Sequence, residues 1–239
     1  MQPRAIFISP LSPCQYLPDR LWQLRHELHP ELDPHDYMER LKEGWRRFGP
    51  ILFRPECPSC RMCQSLRVPV GTFRPNESQR RAWRKNAGEV EIRVSSPTIS
   101  DEKLDLFRRF HQHGHEVKGW PADEPPSLDM FVCNPFPTEE WTYRLDDRLI
   151  GVGYVDALPE GLSAIYFSWD PSERQRSLGT FNILAMIESA RERQLPHVYL
   201  GYFVRGCRSL EYKGRFRPNE VIGGTGWQAE DERSRVSPF

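Results

Sequence analysis

Three cysteines two residues apart, Cys57-Pro58-Ser59-Cys60-Arg61-Met62-Cys63, form a pattern that points to chemistry. At this spacing a knuckle can aim several sulfurs at one ion, and a structural zinc takes four ligands. Cys14 is the other thiol of the N-terminal part, so Cys14, Cys57, Cys60 and Cys63 are the candidate metal ligands. Packed or exposed thiols without metal are the alternative. A second pattern is cationic. Ser78-Gln79-Arg80-Arg81-Ala82-Trp83-Arg84-Lys85-Asn86 sets Arg80 with Arg84, and Arg81 with Lys85, four residues apart on neighbouring stripes of one helix. Like charges so placed cost a helix roughly 0.2–0.5 kcal/mol per pair, a cost that a phosphate backbone would offset. A solvated surface helix is the alternative.

A third pattern interleaves aromatics with cations: Tyr199-Leu200-Gly201-Tyr202-Phe203-Val204-Arg205-Gly206-Cys207-Arg208, continuing to Tyr212-Lys213. It follows a run that reads as a buried strand, and ligands of open α/β sheets gather beyond strand ends. Tyrosines there stack on a base, and arginines fork onto carboxylate or phosphate. Hydrolase signatures are missing: the sequence contains no G-x-S-x-G, HExxH or phosphate-binding P-loop motif. His111, His113 and His115 alternate near a helix end and read as solvated.

The 239 residues suit one sizeable domain or two lobes. Net charge is zero, which argues against a generic nucleic-acid coat. The charge is nevertheless clustered. Between Arg61 and Lys85 seven basic residues face one acid, and between Arg205 and Arg217 five face one. Two positive patches on a neutral chain call for a local anionic partner. Mean hydropathy is -0.65, no apolar run approaches the roughly 20 residues of a membrane span, and no signal-peptide core opens the chain. These features predict a cytoplasmic protein.

The elements that must position these residues follow from periodicity. Asp33-Pro34 caps a helix carrying Tyr37, Leu41, Trp45 and Phe48, stopped by Gly49-Pro50. Leu66 to Val70 alternates like a strand, and its proline puts it at an edge or bulge. Ser78 opens the basic helix, Val90 to Val94 is a strand with one wet face, and Ser100 begins a helix that Gly114 ends. The stretch from Val117 to Pro126 is loop-like. Trp141 to Leu145, Leu149 to Ala157 and Leu162 to Trp169 make a meander turned by Asp146-Asp147 and Pro159-Glu160-Gly161. A helix from about Ser172 to Arg193, the strand Val198-Tyr199-Leu200 and another short helix follow.

That order matches the α/β core of N-acetyltransferases, preceded by a cysteine-bearing lobe, and predicts an N-terminal lobe over 1–95, a catalytic lobe over 96–220 and a disordered tail over 221–239. Arg176-Ser177-Leu178-Gly179-Thr180-Phe181 also resembles the loop with which N-acetyltransferases hold coenzyme A. It departs at Phe181, whose bulk would obstruct the pyrophosphate. As the alternative, Gly179 merely lets the helix pack on the sheet.

Five ordered motifs, covering roughly residues 5 to 220, resemble the arginyl-tRNA:protein transferase family and its compact bacterial leucyltransferase branch. They are Ser12-Pro13-Cys14-Gln15-Tyr16-Leu17-Pro18; Cys57-x-x-Cys60-x-x-Cys63-x-x-Leu66-Arg67-Val68-Pro69-Val70; Ser78-Gln79-Arg80-Arg81 with Asn86; Arg176 to Thr180; and Tyr199 to Tyr202 through Tyr212-Lys213. Asp19 stands where the pattern expects glycine, a difference in a turn. The resemblance implies transfer of leucine from leucyl-tRNA to N-terminal Asp or Glu of acceptor proteins, marking them for degradation. Charged tRNA and such proteins would be the partners, and no cofactor is needed for the chemistry. We assign acceptor reading and catalysis to Tyr202, Arg205, Arg208, Tyr212 and Lys213. Contact with tRNA falls to Arg67, Arg80, Arg81, Arg84, Asn86 and Arg176. Competing expectations are arginine as donor, a coenzyme A-dependent N-acetyltransferase, and a non-catalytic metal-knuckle RNA-binding module.

Overall fold

The computed structural model describes residues 3–120, 127–223 and 226–230. The chain opens with β1 (Ala5–Ile8), a short hairpin of β2 (Ser12–Pro13) and β3 (Leu21–Trp22), then β4 (Leu24–Leu28), α1 (Pro34–Lys42), β5 (Arg46–Phe48), β6 (Ile51–Pro55) and β7 (Gln64–Pro69). Next come α2 (Glu77–Asn86), β8 (Val90–Ser95), α3 (Asp101–Lys118) and the single turn α4 (Asp129–Val132). The meander is β9 (Thr138–Leu145), β10 (Arg148–Leu158) and β11 (Gly161–Trp169). A 3-10 turn over Pro171–Arg176 leads to α5 (Leu178–Glu192), β12 (His197–Phe203), α6 (Arg208–Glu211), β13 (Glu220–Gly223) and β14 (Gly226–Ala229).

Local chemistry explains the boundaries. Asp33 accepts from the His35 amide and caps α1, with Pro34 at the first helical position. The helix stops at Lys42, short of the expected Phe48, because Gly44 turns left-handed (φ +88°). Trp45 nevertheless packs with Tyr37 and Leu41, as the apolar stripe predicts. Asn76, two residues before the expected Ser78, caps α2: its side chain accepts from the Gln79 amide while Gln79 accepts from the Asn76 amide. Asp146 and Asp147 both adopt positive φ, the conformation of a two-residue hairpin turn. Helix α3 runs through Gly114 to Lys118 and ends on Gly119 (φ +67°). Gly114 serves packing instead, since a Cβ there would overlap the Trp120 ring. The loop expected from Val117 thus starts later, and residues 121–126 lie outside the described residues.

Two sheets result. The smaller is antiparallel, in the order β1-β4-β6-β5. The larger has eight strands, β14-β13-β7-β12-β11-β10-β9-β8, in which β11 and β12 form the one parallel pair among the described strands. Strands β7 and β8, assigned by sequence to the first 95 residues, are built into this larger sheet. β7 is interior rather than at an edge. Its proline is tolerated because β13 pairs only with Leu66 and Arg67, leaving the Pro69 end uncovered on that side. The tail expected to be disordered from residue 221 instead contributes β13 and β14, held by Trp227 packing on Tyr199 and Arg67. Residues 231–239 of that tail lie outside the described residues.

One face of the large sheet is covered by α2 and α5, burying Leu66, Val68, Phe181, Leu184, Ile187 and Leu200. Each such side chain contributes roughly 1.5–3 kcal/mol. On the other face Tyr37 and Leu41 of α1, with Trp45 just after it, pack near Leu158 and Tyr199, while α3 packs Leu106 and Phe107 near Val152 and Tyr154. A mixed sheet with a meander, a covering helix and a parallel return strand is the N-acetyltransferase-like architecture expected from the sequence.

Candidate functional site between β11 and β12

Parallel pairing between β11 and β12 is confined to Gly161–Ser163 against His197–Tyr199. Beyond that the strands part. Gly201 takes φ +82°, and the pairing of β12 with β7 shifts register between Tyr199 and Gly201, the signature of a bulge that bends the strand away. Into this opening reaches Arg46 of β5. Its guanidinium donates to Ser163 Oγ at 3.2 Å and to the Ala164 carbonyl at 2.5 Å. Arg46 is 6% exposed, and the sequence reading missed it. Paired arginines after a helix look like solvated surface, and only the tight β5–β6 hairpin, with Phe48 opposite Ile51, turns Arg46 inward.

Lys213 meets Arg46 at the same place. A Cβ built on Gly201 would lie 3.5 Å from both side chains. Lys213 Nζ donates to the Tyr202 carbonyl at 2.9 Å. Burial, together with the Arg46 charge, pulls its ammonium down to about 7. Tyr202 is buried, and its hydroxyl donates to the carbonyls of Gly44 and Phe53, both at 3.2 Å. It shapes the site from beneath.

Beside this opening lies an exposed cavity of about 510 Å³ lined by Arg205, Arg208, Glu211, Tyr212, Arg215 and Arg217. A second acid, Glu230, is forked between Arg205 at 2.5 Å and Arg217 at 3.0 Å. The structure thus brings together all five residues assigned to catalysis and acceptor reading, at two adjoining places on segment 202–217.

The residues assigned to tRNA contact are more scattered. Arg80 and Arg84 are exposed on α2 and share Glu77; Arg81 is exposed beside them. The two basic segments of the sequence adjoin in space, because the Arg74 amide donates to the Arg217 carbonyl and Gln79 to the Arg215 carbonyl. Phe73 stacks on Phe216 across the same seam. Arg67, by contrast, is committed to Glu220 at 2.6 Å and to the face of Trp227. Asn86 is fully buried and donates to the Ala82 and Arg176 carbonyls. Arg176 is paired with Glu89 and Glu173. Arg67 thus ties β7 to β13 and β14, while Asn86 and Arg176 hold α2 against the loop before α5.

That loop also corrects two expectations. Phe181 points into the core against Trp83 and Tyr143, so it does not obstruct the loop. A Cβ on Gly179 would meet open space, so close packing is not what it serves. His111, expected to be solvated, is half-buried and bonded to the Tyr166 hydroxyl at 2.6 Å, and burial lowers its pKa.

Cys14, Cys57, Cys60 and Cys63 do line one small cavity with Tyr16, Trp22 and Tyr202. Among the described residues, however, no group of three or more Cys, His, Asp or Glu side chains stands in metal-holding geometry. The Cys57 thiol points at the Gln23 carbonyl, and burial, with the other thiols nearby, pushes Cys63 up to about 12.

Comparison with known proteins bears on this arrangement. The model of the arginine-tRNA-protein transferase N terminus matches residues 12–81, and that of its C terminus matches 102–223. The chain belongs to the arginine-tRNA-protein transferase family. Members of the family move amino acids from aminoacyl-tRNA to protein N-termini, which makes charged tRNA and protein the substrate classes. An aspartate/glutamate leucyltransferase of Stenotrophomonas maltophilia is 37% identical over 95% of this chain and 93% of its own length. Another, from Halorhodospira halophila, is 35% identical over 91% and 94%. Among solved structures, the C-terminal domain of a putative lysylphosphatidylglycerol synthetase from Agrobacterium fabrum superposes with a TM-score of 0.51 at 14% identity, covering 83% of this chain and 64% of that one. That likeness concerns the fold. No described helix is long and apolar enough to cross a membrane.

Proposed function

We propose that the protein transfers leucine from leucyl-tRNA to the N-terminal Asp or Glu of an acceptor protein in the cytoplasm, creating an N-terminal degradation signal. Likeness to the leucyltransferases over nearly the whole chain supports leucine as the donor. The observation that carries the acceptor reading is the Glu230 carboxylate, which lies between Arg205 and Arg217 in the cavity beside the opening. A pocket that receives a glutamate of its own chain has the chemistry to receive one from another protein.

The aminoacyl ester is already activated, so the site chiefly has to hold an amine against it, and positioning supplies about 7–11 kcal/mol in favourable cases. The incoming α-amine, with a pKa of about 7.7–8, must attack as the free base. Attack leaves a surplus proton on that nitrogen, and neutral Lys213, whose ammonium titrates at about 7, takes it as the bond forms. The amine nitrogen bonds to the ester carbonyl carbon, the ester C–O bond breaks, and the terminal ribose oxygen leaves with a proton returned from Lys213. Arg46 keeps a positive field beside the opening as negative charge develops on the carbonyl oxygen.

The test is transfer of radiolabelled leucine and, separately, arginine from charged tRNA to peptides beginning with Asp, Glu, Ala or Arg. Leucine on the Asp and Glu peptides alone is expected. Arginine there would reverse the donor, and no transfer with intact substrates would overturn the function.

A further inference from the structure

The small sheet carries a feature that neither the transfer chemistry nor the basic pocket uses. Register pairs Phe7 of β1 with His26 of β4, His26 with Phe53 of β6, and Phe53 with Arg46 of β5. Directly opposed residues of an antiparallel sheet share a face, so these four side chains form one row across all four strands. The rings touch in sequence: Phe7 stacks on His26 at 4.5 Å and 6°, His26 lies 6.4 Å from Phe53, and Phe53 lies 6.1 Å from Tyr202. Phe7 is 46% exposed at the open edge; His26 and Phe53 are half-buried. At the far end Arg46 enters the opening between β11 and β12. The row therefore leads from solvent to the place where the aminoacyl ester must lie.

We propose that this row is a platform for the single-stranded 3′ end of the charged tRNA, one unpaired base stacking on the outer face of Phe7 and the following nucleotides running along the row past His26 and Phe53 while the terminal ribose is delivered at Arg46. The inference rests on the proposed tRNA-dependent transfer. The inner face of Phe7 is taken by His26, so its exposed outer face is the one a base can stack on, and every base has a π face, so such stacking is sequence-tolerant. Each of the three gaps between strands is about 4.8 Å, so the row spans about 14 Å. Burial lowers the His26 pKa, so at neutral pH the ring that backs Phe7 is uncharged. Direction distinguishes RNA from the other substrate. An extended acceptor peptide adding to the open edge of β1 would run parallel to the strands, whereas the row runs across them and ends inside the opening.

The test uses an acceptor-stem RNA hairpin carrying the unpaired CCA end common to tRNAs, compared with the same hairpin lacking those three nucleotides. The intact protein is expected to bind the full hairpin more tightly, and Phe7→Ala to lose roughly tenfold in affinity for the full hairpin with no change for the trimmed one. Phe7→Trp should retain the preference. Because Phe7 is exposed, Phe7→Ala is expected to fold, which its melting curve checks, and Phe7→Ala/His26→Ala should extend the loss. Equal binding of both hairpins by the unaltered protein would overturn the platform. So would a Phe7→Ala variant that keeps its RNA preference and instead raises KM for the Asp peptide, which would assign the row to the acceptor. Leucyl transfer by the unaltered protein is measured alongside: its absence refutes the transfer reading, whereas normal transfer with an unchanged RNA preference in Phe7→Ala refutes the platform alone.

Discussion

Arg47 and Asp156 meet at full burial, 109 residues apart, with Arg47 Nε donating to Asp156 Oδ2 at 2.6 Å. Tyr37 and Thr138 add their hydroxyls to the same carboxylate at 2.9 Å each. The cluster ties β5 to β10, and so holds the hairpin that sends the neighbouring Arg46 into the opening. Removing one member of a buried pair leaves the other charge uncompensated, which costs about 3–5 kcal/mol. Asp156→Ala should lose stability of that order in urea unfolding, and transfer should fall even where the variant remains folded. A loss under about 1 kcal/mol would show that water replaces the carboxylate.

Lys213 gives the reaction a recognisable pH dependence. Its neutral form accumulates as pH rises through about 7, and the acceptor amine becomes free near 7.7–8. Both deprotonations favour transfer, so the single-turnover rate should climb with a slope approaching two below pH 7. In Lys213→Gln one ionisation is gone, and the slope should approach one, with a lower rate above pH 8. An unchanged slope would remove Lys213 from the proton path.

How much of this was legible in the sequence depended on whether the determinant was local. Asp146-Asp147, the Asp33-Pro34 cap and the alternation of the meander each specify structure within a few residues, and each is found where expected. Gly114 reads as a helix end, yet serves as the seat for Trp120, which no local pattern reveals. The candidate site divides in the same way. Cations and aromatics of segment 199–217 were visible because they are contiguous. Arg46, Asp156 and the Phe7–His26–Phe53 row were not, because they meet through strand register over long separations. Asn86 misled for the opposite reason: a polar residue beside four cations looks like a ligand group, but its amide is spent on buried carbonyls.

Glu230 occupies the arginine pocket that an acceptor carboxylate would need. Replacing it by Gln removes the competing charge while keeping the shape. KM for an Asp-initiated peptide should fall several-fold with kcat nearly unchanged. A rise in KM, or a matching loss of melting temperature, would mean that Glu230 organises the pocket instead of competing for it.

The exposed arginines of α2 and the basic seam at Arg74 and Arg217 predict salt-dependent tRNA binding. Removing one cation from a phosphate reduces the slope of log affinity against log salt by about 1. Arg80→Ala/Arg81→Ala/Arg84→Ala should therefore weaken binding to any tRNA, charged or not, and flatten the slope by up to about three. Unaltered tRNA affinity in this variant would place the nucleic acid elsewhere, and Arg67→Ala, which breaks the interactions with Glu220 and Trp227, should instead lower thermal stability.

Acid sensitivity should come from half-buried imidazoles. Burial lowers the pKa of His111, whose ring is bonded to Tyr166, and also of His26 and His197. In the unfolded chain each protonates near 6.5, while in the folded chain each remains neutral to lower pH. Between 6.5 and the folded values the unfolded state therefore binds more protons, and stability falls as pH falls, by at most about 1.4 kcal/mol per pH unit for each histidine. The urea midpoint should hold steady above pH 7 and drop between 6.5 and 5. His111→Gln keeps a hydrogen-bonding group for Tyr166 and removes one titration, so its midpoint should drop less steeply over that window. If the two curves run parallel, His111 protonates alike in both states and its burial does not oppose the charge.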